Sequence, residues 1–391
     1  MIDTMPSPVQ FRYFLYDLSN PVTHRNKAWS LPLPCHAQDQ PRRSRSNVDG
    51  ITHGDYFKAV KAFFEMDRFE AVLYGVFRLK HQEISLKELG EIRVILSKHG
   101  EFYHPSRIEV SCLGEVIPMV LNVALSSAGK AVIEQEFGLL DDFNGSFFHH
   151  YLPEVYGFGE APLGKNGSAP LFLGEWFEGY HEFHLSEGED GIRSIRLWDT
   201  ENGYMNLSHE EAQTVYRKIA HILTACYDVS SFRQIFPWHH AAGDFVVKKE
   251  AAGIDVKLIT VRQYAAMIEG PDDDLDFRSV ALLVFLLNLS IRMRLDRMDG
   301  TGGMVWLDDY VVPCTVEGFF DGLTEQMKNG LLADDFLAAF KTHVHTTGPD
   351  QLIETAMAIV DSYHPEAPEV ALIRAGIQTH LTRLIDVLGE A

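Results

Sequence analysis

The chain has 391 residues, 46% of them hydrophobic, which is enough for two or three structural units with their own cores. Its 34 Lys and Arg against 55 Asp and Glu give a formal charge of −21. Such a charge disfavours binding to nucleic acid and to anionic membranes, so neither is an expected partner. The four cysteines are scattered without a Cys-x-x-Cys pair, which argues against a disulfide scaffold and a zinc ribbon.

The sequence also carries no signal for export or membrane insertion. The N-terminal residues lack the basic and apolar blocks of a signal peptide. The longest strongly apolar run, residues 280–289, is shorter than the roughly 20 residues of a bilayer-spanning helix. We therefore expect a cytoplasmic protein.

The first hundred residues predict an extension ahead of the main fold. Residues 1–50 are rich in Pro, Ser, Asn and Arg, which predicts an extended or partly disordered arm. Residues 51–104 predict a helical extension. Within it, apolar spacing predicts a helix over residues 55–69, a strand over 71–79 and a second helix over 85–98.

The pattern changes after residue 104, where β-branched and apolar runs predict strands. Two strands, 107–113 and 116–125, are expected to form a hairpin around Gly114. A helix over residues 128–143 and further strands over 152–159 and 170–177 complete this part.

The second half is predicted to be mainly helical. A helix over residues 210–226 precedes two short strands, 245–248 and 256–261, and the chain from residue 272 onward has helical spacing. A sheet-rich part followed by a helical part predicts an α+β fold of two lobes.

Three motifs occur in an order that is typical of one family. They are Glu134-Gln135-Glu136-Phe137-Gly138-Leu139-Leu140, Phe172-Leu173-Gly174-Glu175-Trp176-Phe177-Glu178-Gly179, and the run Pro237-Trp238-His239-His240-Ala241-Ala242-Gly243-Asp244-Phe245-Val246-Val247. With the strand Leu152-Pro153-Glu154-Val155-Tyr156-Gly157-Phe158-Gly159 between the first two, this order resembles the kinase-like fold, specifically its aminoglycoside phosphotransferase and choline kinase branch.

The resemblance covers about residues 105–345 and implies a two-lobed protein-kinase-like fold. Residues 105–178 would be the small β-rich N-lobe and residues 179–391 the larger helical C-lobe. The implied cofactors are ATP and Mg²⁺, and the implied reaction is phosphoryl transfer to an alcohol group of a small molecule.

Several positions depart from the family's pattern. His239 stands where the catalytic Asp belongs, and Asp244 stands where the metal-binding Asn belongs. Asn122 replaces the strand lysine that pairs the phosphates, and Thr260 replaces the second metal-binding Asp. The expected phosphate loop has the single glycine Gly114. The resemblance therefore implies His239 and Asp244 as catalytic-loop residues, with Asp244 as the metal ligand.

A second register keeps the catalytic acid. If Ala242-Gly243-Asp244 replaces His-Gly-Asp, Asp244 becomes the catalytic Asp and Lys249 falls at the metal position. This register starts the following strand too early, so it ranks second.

Candidate ligand contacts lie outside the loop as well. The resemblance implies nucleotide contacts for Asn122, Glu136, Glu175, Trp176 and Phe177. Separately, the arginine-rich segment 292–297 predicts ion pairs at a helix end, with Arg292 four residues before Asp296. In the alternative, Arg294 and Arg297 contact an anionic ligand.

Paired histidines leave a metal site open. The pairs are His149-His150, His181-x-x-His184, His239-His240 and His343-x-His345. Three functions are thus weighed. The first is a degenerate, pseudokinase-like protein that binds a nucleotide, a small ligand or a protein partner. The second is an atypical ATP- and Mg-dependent phosphotransferase, and the third is a histidine-based metal enzyme.

Overall fold

The structure is a computed structural model that describes residues 9–16, 18–34, 50–100, 102–199, 202–238, 240–271, 274–300 and 302–390. The chain is a mixed α+β protein with a β-rich N-terminal region and a helical C-terminal region. It divides into two units. The first comprises Met1–Gly145 and Pro153–Glu178, and the second comprises Ser146–Leu152 and Gly179–Ala391.

The first unit is built on a six-stranded sheet with the order β1-β2-β3-β4-β6-β5. The strands are β1 (Gln10–Leu15), β2 (Glu91–Leu96), β3 (Ser106–Cys112), β4 (Glu115–Val123), β5 (Val155–Pro162) and β6 (Ser168–Glu175). β1 pairs with β2 in parallel, and the other neighbours are antiparallel. Strands from residues 51–104 and from residues 105–178 thus share one sheet.

Three helices accompany this sheet, namely α1 (His53–Met66), α2 (Glu70–Lys80) and α3 (Ser127–Asn144). α1 begins with a capping box, in which Thr52 and Asp55 satisfy each other's backbone amides. Buried side chains of α1, including Tyr56 and Phe57, join one core with the sheet. The predicted helices over residues 55–69 and 128–143 are confirmed.

Two element predictions in this region were wrong. Residues 71–79 form most of α2 rather than a strand, since Ala71, Val72, Gly75 and Val76 are buried at helical spacing. Residues 85–98 hold a capping box at Ser85, but it supports only the 3₁₀ turn Leu86–Glu88. Glu91–Leu96 then forms β2 between β1 and β3, because sheet pairing overrides the local helical spacing.

The second unit contains an antiparallel three-stranded sheet that the sequence did not predict. Its strands are β7 (Phe183–Glu187), β8 (Arg193–Asp199) and β9 (Gly203–Asn206). The elements that follow are α4 (His209–Ala225), β10 (Arg233–Ile235), α5 (Ala241–Asp244), β11 (Phe245–Glu250), β12 (Gly253–Leu258), β13 (Tyr264–Ala266), α6 (Leu275–Arg292), β14 (Leu295–Arg297), β15 (Met304–Trp306), α7 (Val311–Lys328), α8 (Asp334–Thr346), α9 (Pro349–Ser362) and α10 (Pro368–Glu390). The predicted helix over residues 210–226 and the mainly helical end of the chain are confirmed.

Three two-stranded ribbons lie among these helices, β10 with β13, β11 with β12, and β14 with β15. The β11–β12 ribbon is the predicted pair of short strands. No helix within the described ranges is both long and apolar enough to cross a bilayer.

Helices α4 and α7 approach closely at a glycine. A Cβ added to Gly318 of α7 would lie 2.0 Å from the carbonyl oxygen of Arg217 in α4. The missing side chain therefore sets the distance between these helices, which carry much of the second unit's core.

We predict that Gly318→Ala lowers the free energy of unfolding by about 2 kcal/mol or more, because the methyl group overlaps a neighbouring backbone. Gly138→Ala is the matched control. Gly138 lies in α3, and a Cβ added there would have no neighbouring atom within 4 Å. Helix propensity therefore predicts that this substitution stabilises the protein by about 0.5–1 kcal/mol. Urea denaturation of both variants tests this, and equal effects would contradict the close approach of α4 and α7.

Candidate functional site

The predicted catalytic loop connects β10 to β11. β10 is held by pairing with β13, and β11 by pairing with β12, so both ends of the loop are fixed by ribbons. The Phe236–Pro237 peptide bond is cis. His239 lies outside the described residues, so its assignment as a catalytic residue stays a prediction.

Asp244 ends the loop and is buried, with 1% of its surface exposed. Its Oδ1 atom lies 2.8 Å from Nη1 of Arg262, whose side chain is 16% exposed. The backbone amide of Ile259 donates to the Asp244 carbonyl oxygen at 2.9 Å, which ties the loop to the end of β12. The negative charge that the sequence assigned to a metal is thus balanced by a guanidinium group.

His240 lies on the other side of the loop and is also buried. A Cβ on Gly243 would meet the His240 ring at 2.9 Å, so the ring can occupy its position only beside a glycine. The Nδ1 atom of His240 lies 3.6 Å from Oδ1 of Asp296, at the middle of β14.

Asp296 is the centre of a buried polar cluster. It has no exposed surface, and its Oδ2 accepts the backbone amide of Leu185 at 2.7 Å. Its Oδ1 accepts the backbone amide of Arg297 at 2.7 Å and lies 3.2 Å from Nδ1 of His184. Since a buried carboxylate is unfavourable without such partners, these contacts hold β14 against β7.

The structure brings together one member from each of two histidine pairs. Among the described residues, His184, His240 and Asp296 form the one group of three metal-ligating side chains, with donor atoms within 4.8 Å of one another. His181 points elsewhere, with Nε2 3.7 Å from Asp199 Oδ2.

The two candidate anion-contact arginines are engaged inside the protein. Arg294 is 3% exposed and donates to the Leu307 carbonyl at 2.7 Å and to Asp309 at 2.8 Å. Burial lowers the pKa of its guanidinium group, and the Asp309 charge opposes that shift. Arg297 is half-buried and donates to the Gly302 carbonyl at 3.4 Å.

The predicted pairing of Arg292 with Asp296 was wrong, because α6 ends at Arg292 and Asp296 belongs to a strand. Arg292 instead donates to the Trp238 carbonyl at 2.8 Å and contacts Glu369 at 3.3 Å.

Two predicted nucleotide contacts lie on β4 and α3 of the first unit. Asn122 is half-buried and pairs with Phe172 in the register of β4 and β6. Glu136 is 1% exposed and accepts a hydrogen bond from the Tyr103 hydroxyl. Glu136 therefore has a neutral, half-buried hydroxyl group as a partner.

The other three predicted contacts are consecutive at the end of β6. Glu175 accepts the backbone amide of Glu154 at 3.3 Å, and the Arg107 guanidinium carbon lies 5.3 Å from the centre of the Trp176 ring. Phe177 is half-buried. The roles of all five residues in nucleotide binding stay predictions.

Arg262 belongs to none of the predicted motifs, and Asp296 was predicted only to form an ion pair at a helix end. Arg262 is 18 residues from Asp244, and His184 is 112 residues from Asp296. Neither contact has a local periodicity from which it could be predicted. The partial signal was the two histidine pairs, which contain His184 and His240.

Comparisons with known proteins give little beyond distant likeness. No family model matches the sequence, and no curated protein matches it. Among solved structures, WaaP in complex with acyl carrier protein is similar at 9% identity and a TM-score of 0.27, over 63% of this chain and 87% of that chain. The PAN3 pseudokinase of Neurospora crassa is similar at 10% identity and a TM-score of 0.28, over 83% of this chain and 72% of that chain. At TM-scores this low, these likenesses carry no argument about this chain.

The buried ion pair of Asp244 and Arg262 makes a prediction about stability. Asp244→Asn is expected to lower the free energy of unfolding by about 3 kcal/mol, because it leaves a largely buried guanidinium group without its charged partner. The double variant Asp244→Asn/Arg262→Gln should recover part of that loss, which a double-mutant cycle from urea denaturation measures.

The surface pair of Lys249 and Glu211 is the control for this cycle. Its side chains are 36% and 26% exposed, so its coupling energy should stay below about 1 kcal/mol. A coupling energy for Asp244 and Arg262 no larger than that of the surface pair would contradict the assigned role of Arg262.

Proposed function

We propose that the chain is a degenerate kinase-like protein that binds a nucleotide, a small ligand or a protein partner, with weak or no phosphoryl transfer. The order of elements supports this. A strand with Asn122, a helix with Glu136 and two further strands are followed by the long helix α4, the loop and the ribbon β11–β12. The narrower placement in the aminoglycoside phosphotransferase and choline kinase branch is part of the proposal and rests on the sequence motifs.

The observation that carries the proposal is the contact between Asp244 and Arg262. Phosphoryl transfer relies on Mg²⁺ ions that bridge the nucleotide phosphates and are held by loop and strand acids. Here the loop acid is buried and receives a guanidinium hydrogen bond at 2.8 Å. A divalent cation could bind Asp244 only after Arg262 moves away, since two positive groups would otherwise meet at one carboxylate.

Neutral side chains at two other positions support the same conclusion. Asn122 and Thr260 stand where the family has a phosphate-binding lysine and a second metal-binding acid. Thr260 is 8% exposed and has no charge to offer a cation. In phosphotransferases, neutralisation of the phosphate charges by lysine and metal ions raises the rate by orders of magnitude. Its loss at Asn122, Asp244 and Thr260 therefore predicts an inactive or very slow site.

The proposed function and its alternative differ in what Arg262 must do when a nucleotide binds. An atypical ATP- and Mg-dependent phosphotransferase would need Arg262 to leave Asp244 when MgATP binds. A binding protein needs no such movement, and Arg262 then acts only to stabilise the loop.

The test compares the wild-type chain with Asp244→Asn in the presence of ATP, with Mg²⁺ or with EDTA. We expect ATP turnover at or barely above background, and any ATP affinity measured by calorimetry should be equal in Mg²⁺ and in EDTA. Mg-dependent turnover by the wild type at the roughly 1–100 s⁻¹ that is typical of kinases would contradict the proposal.

Asp255→Asn is the matched control in this experiment. Asp255 lies on the neighbouring strand β12, is partly exposed and contacts Tyr180 and Lys257. Loss of Mg-dependent turnover in Asp244→Asn but not in Asp255→Asn would assign the metal to Asp244 and establish the phosphotransferase alternative.

A further inference from the structure

The cluster around Asp296 has the composition of a transition-metal site. Two imidazoles and one carboxylate come from β7, the loop and β14, and all three residues are buried. Imidazole nitrogen and carboxylate oxygen are ligands that Zn²⁺ takes in proteins, whereas Mg²⁺ prefers oxygen alone.

The spacing of the donor atoms also suits a metal ion. Nδ1 of His184 and Nδ1 of His240 lie 3.2 Å and 3.6 Å from the same Oδ1 atom of Asp296. In a tetrahedral zinc site with bonds near 2.0–2.1 Å, neighbouring ligand atoms are separated by about 3.3 Å. These two separations are within a few tenths of an ångström of that value, and all three ligand atoms lie within 4.8 Å of one another.

Two imidazole rings approach one carboxylate oxygen, which is the arrangement that a shared metal ion requires. A carboxylate oxygen has two lone pairs, and the Arg297 amide already donates to Oδ1 at 2.7 Å. The Nδ1 atoms of His184 and His240 lie 3.2 Å and 3.6 Å from this oxygen. One metal ion could accept a lone pair from each imidazole and from the same carboxylate oxygen.

The partners behind the ligands fit the same assignment. The Leu185 amide donates to the other carboxylate oxygen at 2.7 Å, which orients Asp296 independently of either histidine. Outer contacts of this kind are typical of protein metal sites.

We propose that His184, His240 and Asp296 bind one Zn²⁺ ion, which fixes the loop 236–244 against β7 and β14. Three protein ligands leave a fourth position for water. The role is independent of phosphoryl transfer, because none of the three residues is Asp244 and the ion is held by nitrogen ligands.

The test uses the full chain after treatment with a chelator, titrated with Zn²⁺ and assayed by calorimetry and metal analysis. We expect one Zn²⁺ per chain and a higher melting temperature in its presence, since a ligand of the native state stabilises it. Asp296→Asn and His240→Gln should each weaken Zn²⁺ binding about 100-fold or more, because even outer-shell changes cost roughly 10- to 100-fold.

His181→Gln is the control, since His181 precedes His184 by three residues but contacts Asp199. It should bind Zn²⁺ with wild-type affinity. The result that overturns the proposal is a wild-type chain that binds no Zn²⁺ at saturating concentration, or Asp296→Asn and His240→Gln variants that bind it as the wild type does.

A measurement on the wild type alone keeps the test valid if those variants fail to fold. Co²⁺ added to the metal-free chain should give the visible absorption of a tetrahedral site, and Zn²⁺ should abolish that absorption at one equivalent. A spectrum equal to that of aqueous Co²⁺ would overturn the proposal.

Discussion

A buried negative charge needs a partner, and this constraint governs the loop between β10 and β11. Asp244 is 1% exposed, and its partner is the guanidinium group of Arg262 at 2.8 Å. Without that partner, a carboxylate at this depth would destabilise the fold by several kcal/mol. The ion pair therefore fixes where the loop ends and decides which ligands the loop can accept. A loop whose acid is already neutralised has little affinity left for Mg²⁺, and from this the proposed loss of phosphoryl transfer follows.

The same constraint operates a second time at Asp296. This carboxylate has no exposed surface and is satisfied by two backbone amides and by contacts with His184 and His240. Within the loop, His240 thus lies beside Asp296 and Asp244 pairs with Arg262. If Zn²⁺ binds to His184, His240 and Asp296, it fixes the loop at His240. A fixed loop suits a binding protein better than an enzyme whose active site must rearrange around a nucleotide.

The sequence predicted the helices and the hairpins whose signals are local. The helices α1, α3 and α4 and the hairpins β3–β4 and β11–β12 appear where apolar spacing, caps and turn residues placed them. The failures have physical causes. Ser85 and Glu88 form their predicted capping box, yet β2 follows because its neighbours in the sheet lie far away in the chain. The sheet of β7, β8 and β9 was missed for a similar reason, since its short strands are recognisable mainly by their pairing.

The site was predicted only in part. Asp244 and the histidine pairs could be predicted as candidates from their residue types. Their partners Arg262 and Asp296 are brought close only by the fold. Local sequence patterns cannot predict the contact between His184 and Asp296, because these residues are 112 positions apart. The chemistry of the loop therefore depended on the structure, although its position could be inferred from the order of elements.

The most direct test of the central claim is anomalous diffraction from crystals of the full chain grown with ATP and Mn²⁺ in place of Mg²⁺. The account predicts that Asp244 still pairs with Arg262 and that no manganese peak lies on the Asp244 carboxylate. A manganese peak bound to Asp244, with Arg262 turned away and the ion bridging the nucleotide phosphates, would contradict it.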